Sequence, residues 1–412
     1  MKATKADVRK RPAAAATAPP PSKTSRLRAR RASADVKPLP GAAYWRRIVP
    51  GLHVADAEFQ ASAAPIELPP EVLERCRRQL IVDGFFALPP DTLPWASSLP
   101  AMRVGVRRLL RRGWPASMLL VYDEAWAMAA QLASLMAAVS GGCENSLDML
   151  AWSITPSLGE AGFAPHRDRQ PADVKGSFRK DGTPKYATCW VALSEASVDS
   201  SCLYIVPRGV DKGYDAGDDM DARAEDPLIA TLRSDAAVQA VRACPLKPGG
   251  CVIFSHRAMH WGSSGRADCD QARISISFGH SDPTFERPYF ARPDKVLPYP
   301  SVGVRLALVS AQLIAYHERF AFGLEKLRRF GTTFRGKKKA FTKEYAEKVA
   351  AEFKAALDDQ QRNAAAAGAA EDDSEGEAAL DDALDAMLDA QAQADGNLFD
   401  DFDDYAAESD DS

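Results

Sequence analysis

"KPGGCVIFSHRAMHWGSSGRADCDQARISISF", residues 247–278, decides the fold. A Pro-Gly-Gly turn leads into an apolar run from Cys251 to Phe254, and a second run, "ARISISFG", begins at Ala272. Both are short, rich in β-branched or aromatic residues and bounded by turn signals, which reads as two strands. Between them, "MHWGS" presents His260, and thirteen residues later Arg273 stands two positions before Ser275. Residues i and i+2 of a strand share a face. Arg273 and Ser275 therefore offer one planar fork and one hydroxyl on the same side, a pair suited to a carboxylate.

A lone histidine and an arginine need partners, and "APHRDRQPADV", residues 164–174, supplies them. "HRD" is also the spelling of a protein-kinase catalytic loop. That loop requires Leu after the Asp and Asn four positions further on. Here Arg169 follows Asp168, position 173 is Asp, and no D-F-G or preceding G-x-G-x-x-G occurs, so nothing would hold magnesium and ATP. The other reading is metal chemistry. His166 and Asp168 on one strand face, with His260 from a second strand, make the two-His, one-carboxylate set of a non-haem Fe(II) site. His256 lies four residues before His260 and competes for the same place, but it lacks the following Gly-Ser. His280 and Asp282 form another H-x-D; a turn cap is the expected role there, and His53 and His317 read as ordinary residues.

The surrounding chain suits a barrel. "LDMLAWSIT", "YATCWVALS" and "SCLYIVPR" are further short β-rich runs between Leu147 and Arg208, as in a sandwich or a sheet closed on itself. A helix starting at Pro70 and a strand at "GFFAL" precede them, residues 116–139 have helical texture, and helical spacing returns between Leu306 and Ala356.

In order, H-x-D, distal His and R-x-S on strand-like segments resemble the phytanoyl-CoA dioxygenase (PhyH) family of Fe(II)/2-oxoglutarate-dependent oxygenases, over roughly Pro70 to Phe278. The resemblance implies a mainly β core, a double-stranded β-helix (jelly-roll or cupin-like) with flanking α-helices. It implies His166, Asp168 and His260 as iron ligands, and Arg273 on the C5 carboxylate of 2-oxoglutarate. Ser275 would be the partner of Arg273, and Trp190 matches a family position near the cosubstrate. Where relatives write "NG" and "PGSH" around one strand, this chain has "SSCLYIVPRGV", so the family's substrate does not carry over. Asp168 occupies the position that halogenating relatives leave to a small residue, which favours hydroxylation.

Four regions are expected: a disordered basic segment over 1–40, the dioxygenase domain over 41–300, a helical extension over 301–357 and a disordered acidic tail over 358–412. The net charge of −4 conceals this asymmetry. Eleven Lys and Arg stand against Asp7 and Asp35 in the first forty residues, and Arg362 is the single cation after position 357. Such segments bury too little apolar surface to offset their ordering entropy. Seven cysteines without a C-x-x-C pair imply free thiols in a reducing compartment. With no apolar run of membrane length, an intracellular soluble protein is expected, cytoplasmic or nuclear, with a transit peptide as the other reading of the basic N-terminus. The substrate is expected to be a small molecule, taken with O2. A basic loop over 169–186, with Lys175, Arg179, Lys180 and Lys185, suggests an anionic one. A protein or chromatin hydroxylase is a second reading of the charged tails. A non-catalytic scaffold that docks a protein partner through its acidic tail is a third; neither membrane nor nucleic acid is expected as partner.

Overall fold

The computed structural model describes residues 36–217, 231–233, 235–320 and 322–366. Most of the expected basic segment and most of the acidic tail lie outside the described residues. The chain divides into two units, Met1–Leu357 and Asp358–Ser412, and all eight strands belong to the first.

The strands are β1 (Phe85–Leu88), β2 (Glu144–Ile154), β3 (Tyr186–Ala192), β4 (Leu203–Ile205), β5 (Arg242–Cys244), β6 (Cys251–Ser255), β7 (His260–Gly262) and β8 (Arg273–Ser281). Five form one sheet in the order β1-β6-β3-β8-β2, and three form a second in the order β5-β4-β7. Every pairing is antiparallel and the two sheets pack against each other, the arrangement expected of a double-stranded β-helix with flanking helices. β6 and β3 are buried along their whole length because they run through the middle of the larger sheet.

Alternation sorts that sheet's two faces. Met149, Ala151, Ala187, Cys189, Val191, Ile274, Ile276 and Phe278 join the large apolar core shared with the helices. Trp190, Ala192, Val252 and Phe254 point the other way and meet Leu203, Ile205 and Cys244 of the small sheet. Each fully buried Leu, Ile or Phe contributes about 1.5–3 kcal/mol.

The helices of thirteen residues or more are α1 (Pro70–Val82), α2 (Leu99–Arg111), α3 (Asp123–Ser140), α4 (Val302–Ala315), α5 (Leu324–Lys337) and α6 (Lys343–Ala366). α1 opens on Pro70, whose missing N–H costs nothing in a first turn. α3 stops at Gly141, whose φ of 75° is the left-handed cap that glycine adopts without penalty. The helical stretch read over 116–139 is broken. Residues Ala116–Val121 form a 3-10 turn, Tyr122 is extended, and α3 begins only at Asp123, whose N–H is taken by the His53 carbonyl. The tertiary hydrogen bond outweighs helix continuity there. Among the described residues no helix is long and apolar enough to cross a membrane.

Candidate active site

The two metal-binding motifs meet through the backbone. His166 N donates to His260 O and His260 N to His166 O, both at 3.0 Å, a one-residue bridge between the loop before β3 and the first residue of β7. His166, Asp168 and His260 line one cavity of about 300 Å³. Arg167, between the first two, turns into the protein. There its buried guanidinium forks onto the buried Asp211 carboxylate at 2.6 and 2.9 Å. The alternation of H-R-D thus exposes two ligands to the cavity and anchors the residue between them.

Asp168 Oδ1 lies 3.6 Å from His166 Nε2 and 3.5 Å from His260 Nε2, and the three atoms all fall within 4.8 Å of one another. Both imidazoles are oriented from behind. Nδ1 of His166 donates to Ala164 O at 2.8 Å and Nδ1 of His260 to Ala258 O at 3.0 Å, which leaves each Nε2 as a lone pair aimed at the same point. Burial, and next the neighbouring His166, push His260 down to about 4, so it is neutral at physiological pH. Burial opposes the charge on Asp168, yet His260 and His166 hold its carboxyl below the usual range. Thr188 Oγ1 donates to Asp168 Oδ2, which leaves Oδ1 toward the histidines.

Arg273, Trp190 and Thr188 line the same cavity. The Arg273 side chain is buried; Nε donates to Ser201 O at 3.0 Å and Nη1 to Ser275 Oγ at 2.8 Å, while its Cζ stands 5.3 Å from the Trp190 ring centroid. Ser275 is fully buried behind the guanidinium, bracing it rather than lining the cavity. Burial lowers Arg273 to about 10, so it stays cationic at neutral pH. No carboxylate among the described residues pairs with it, and a buried guanidinium left in that state is a receptor for an anion.

The rival histidines are accounted for elsewhere. His256 is fully buried, with Nδ1 on Tyr186 O at 3.1 Å and Nε2 on Ser177 Oγ at 2.8 Å; burial lowers it to about 3, and it is a neutral structural residue. Asp282 caps a turn through Thr284 N and pairs with Arg179, and His280 does not line the cavity. His53 pairs with Glu124, and His317 bonds the Ile314 carbonyl. The basic loop is fastened to the barrel flank: Ser177 holds His256, and Arg179 bonds Ser140 O, Pro184 O and Asp282. Its cations Lys175, Arg179, Lys180 and Lys185 do not line the cavity; only the loop's two ends, Arg169 and Tyr186, do.

Four lining residues carried no sequence signal: Asp148, Arg169, Tyr186 and Tyr316. Arg169 forks onto Glu286 at 2.5 and 2.8 Å and reaches Asp148 at 2.9 Å. Tyr186 Oη donates to the same Asp148 oxygen at 3.1 Å. Tyr316 arrives from the end of α4, 148 positions after Asp168. Only contact in three dimensions reveals such residues.

The donor set fits a divalent iron. Metal–ligand bonds of about 2.0–2.2 Å place atoms on one face of an ion roughly 3 Å apart, close to the spacing found. Two imidazoles and one carboxylate are the facial set of non-haem Fe(II) oxygenases.

Among solved structures, the chain is similar to the epimerase SnoN in complex with Fe3+, alpha ketoglutarate and nogalamycin RO. Identity is 22%, 52% of this chain and 86% of that one are covered, and the TM-score is 0.40. It is also similar to HygX from Streptomyces hygroscopicus with nickel and 2-oxoglutarate bound, at 16% identity, 54% and 90% coverage and a TM-score of 0.39. The carbocyclase SnoK from nogalamycin biosynthesis follows at 15%, 53% and 87%, with a TM-score of 0.38. No curated protein matches the chain. The family comparison is the informative one: over residues 122–273, which hold the H-x-D, the distal histidine and the arginine described above, the chain matches the phytanoyl-CoA dioxygenase (PhyH) family, whose members are Fe(II)- and 2-oxoglutarate-dependent oxygenases.

Proposed function

We propose that this 2-oxoglutarate-dependent oxygenase hydroxylates a small organic molecule, with His166, Asp168 and His260 holding the iron. Arg273, braced by Ser275 and flanked by Trp190, takes the far carboxylate of 2-oxoglutarate. The observation that carries this reading is the buried Arg273 guanidinium without a carboxylate partner, facing the same cavity as the triad. When bound, iron and 2-oxoglutarate would activate O2 for hydroxylation of a C–H bond, with one oxygen atom going to the product, the other to succinate, and CO2 released. The protein's own residues do the rest. Ala164 and Ala258 carbonyls fix both imidazole tautomers, Thr188 fixes the carboxylate, and the apolar walls Leu150, Ile154 and Phe254 exclude water. The cations that suggested an anionic substrate lie outside the cavity, so the reading keeps a small molecule and gives up that charge.

The test is succinate formation from 2-oxoglutarate by the Fe(II)-loaded chain. His166→Ala should abolish it, and Arg273→Ala should raise the KM for 2-oxoglutarate by about tenfold or more, as loss of a charged hydrogen-bonding fork does. Iron-dependent turnover that survives His166→Ala would overturn the assignment.

A further inference from the structure

Arg273 is one pole of the cavity, and the opposite pole has a different character. Asp148, Arg169, Tyr186 and Tyr316 line it, with the aromatic rings of Trp152 and Phe163 as side walls. Arg169 is the one cation among these residues, and it is already committed. Its Nε and Nη2 grip Glu286, Nη2 also reaches Asp148, Nη1 donates to Asp168 O, and its Cζ lies 4.3 Å from the Tyr186 ring centroid. Two carboxylates, Asp148 on the cavity wall and Glu286 outside it, share this one guanidinium.

Asp148 is unevenly satisfied. Oδ2 accepts from both Arg169 and Tyr186, whereas Oδ1 has only a long 3.4 Å contact with Gln312 Nε2, which donates to Leu147 O at 2.8 Å. The Tyr316 hydroxyl has no hydrogen-bond partner among the described residues. The charge of Asp148, and next burial, raise its pKa, so it stays a neutral donor and acceptor beside that carboxylate. Trp152 stacks on Phe320 at 4.8 Å and meets Phe163 edge-on at 4.9 Å, which holds those walls upright. Arg319 is held by Gly162 O and the Phe163 ring, and it does not line this cavity. A carboxylate with one weakly occupied oxygen, a phenol oxygen and aromatic faces is the environment that stabilises an ammonium ion.

We propose that Asp148 and Tyr316, walled by Trp152 and Phe163, form a substrate subsite for a protonated amine, so that the molecule oxidised is an amine held opposite Arg273. The proposal rests on the oxygenase reading, because it takes this cavity as the substrate's. Asp148, Trp152 and Phe163 lie within the segment matched by the family, and Tyr316 lies beyond it.

The test uses the full chain at neutral pH with Zn(II) and saturating 2-oxoglutarate, so that Arg273 is occupied. Ligand-observed NMR measures the dissociation constants of three probes of one shape: cyclohexylmethylamine, cyclohexylmethanol and cyclohexanecarboxylate. The amine should bind about tenfold or more tightly than the other two, the range of one charge-assisted hydrogen bond. Asp148→Asn should erase that preference, and Tyr316→Phe should reduce it severalfold, while 2-oxoglutarate binding measured by calorimetry on the same samples stays unchanged. Equal binding of the three probes, tighter binding of the carboxylate, or an amine preference that persists in Asp148→Asn overturns the subsite. Failure of 2-oxoglutarate to bind the wild type, with the amine preference intact, would instead remove the oxygenase reading and leave an amine site.

Discussion

Thr188 shows how much of the proposed metal site lies behind its ligands. Its hydroxyl occupies one oxygen of Asp168 and thereby chooses which oxygen faces the two histidines. Thr188→Val keeps the shape and removes the donor. Metal affinity, measured by titration with competing chelators, should fall about 10–100-fold while the thermal midpoint barely moves, as outer-shell losses do. An unchanged affinity would mean that Asp168 is oriented by other contacts. Residues of this kind are the ones that resist reading from sequence. His166, Asp168, His260 and Arg273 were legible because their chemistry is rare and their spacing follows the strand period. Thr188 was not, because threonine in a buried strand is ordinary, and its task appears only when β3 is laid beside the H-x-D loop. Trp190 was singled out by family likeness and Ser275 by its strand-face spacing to Arg273; that Ser275 stands behind the guanidinium was not legible.

At the scale of elements, the site depends on two close approaches of backbone. Gly162, in the loop leading to His166, lies against Gly262, the last residue of β7. A Cβ on Gly162 would sit 2.5 Å from the Gly262 Cα. The bridge between His166 and His260 lies alongside, so the absence of both side chains is what allows the two ligand segments to touch. Gly162→Ala must push backbone from backbone. Metal affinity should fall by about tenfold or more, with the far-ultraviolet circular dichroism of the barrel retained, since a shift of about 1 Å in a constellation is costly. Wild-type affinity in that variant would show that the contact is slack. The sequence displayed six strands, including the three-residue β4 inside the apolar run "CLYIV", but β5 and β7 are three residues each without such a run around them. β7 carries His260. The bulge in β2, where pairing slips between Asn145 and Met149, is equally silent in the sequence, and it contains Asp148 of the cavity wall.

Across the whole molecule, the helices after the barrel take part in the site. The buried Arg305 of α4 pairs with the buried Asp123 that opens α3 and donates to the carbonyls of Pro300 and Val121, which fixes α4 against the barrel's helical side. α4 then delivers Tyr316 to the cavity and Phe320 to the ring of Trp152. What read as an appended helical extension is therefore part of the wall that a substrate meets. The charged termini, and with them the second and third readings of the sequence, lie outside the described residues, and the chemistry assigned to the cavity does not draw on them.

The central claim is that His166, Asp168, His260 and Arg273 together hold iron and 2-oxoglutarate, and an anaerobic titration tests it most directly. Fe(II) and then 2-oxoglutarate are added to the purified chain while the visible absorption is recorded. A metal-to-ligand charge-transfer band should appear in the wild type, vanish in His166→Ala, and require far more 2-oxoglutarate in Arg273→Ala. A folded, iron-loaded wild-type chain that shows no band would contradict the account.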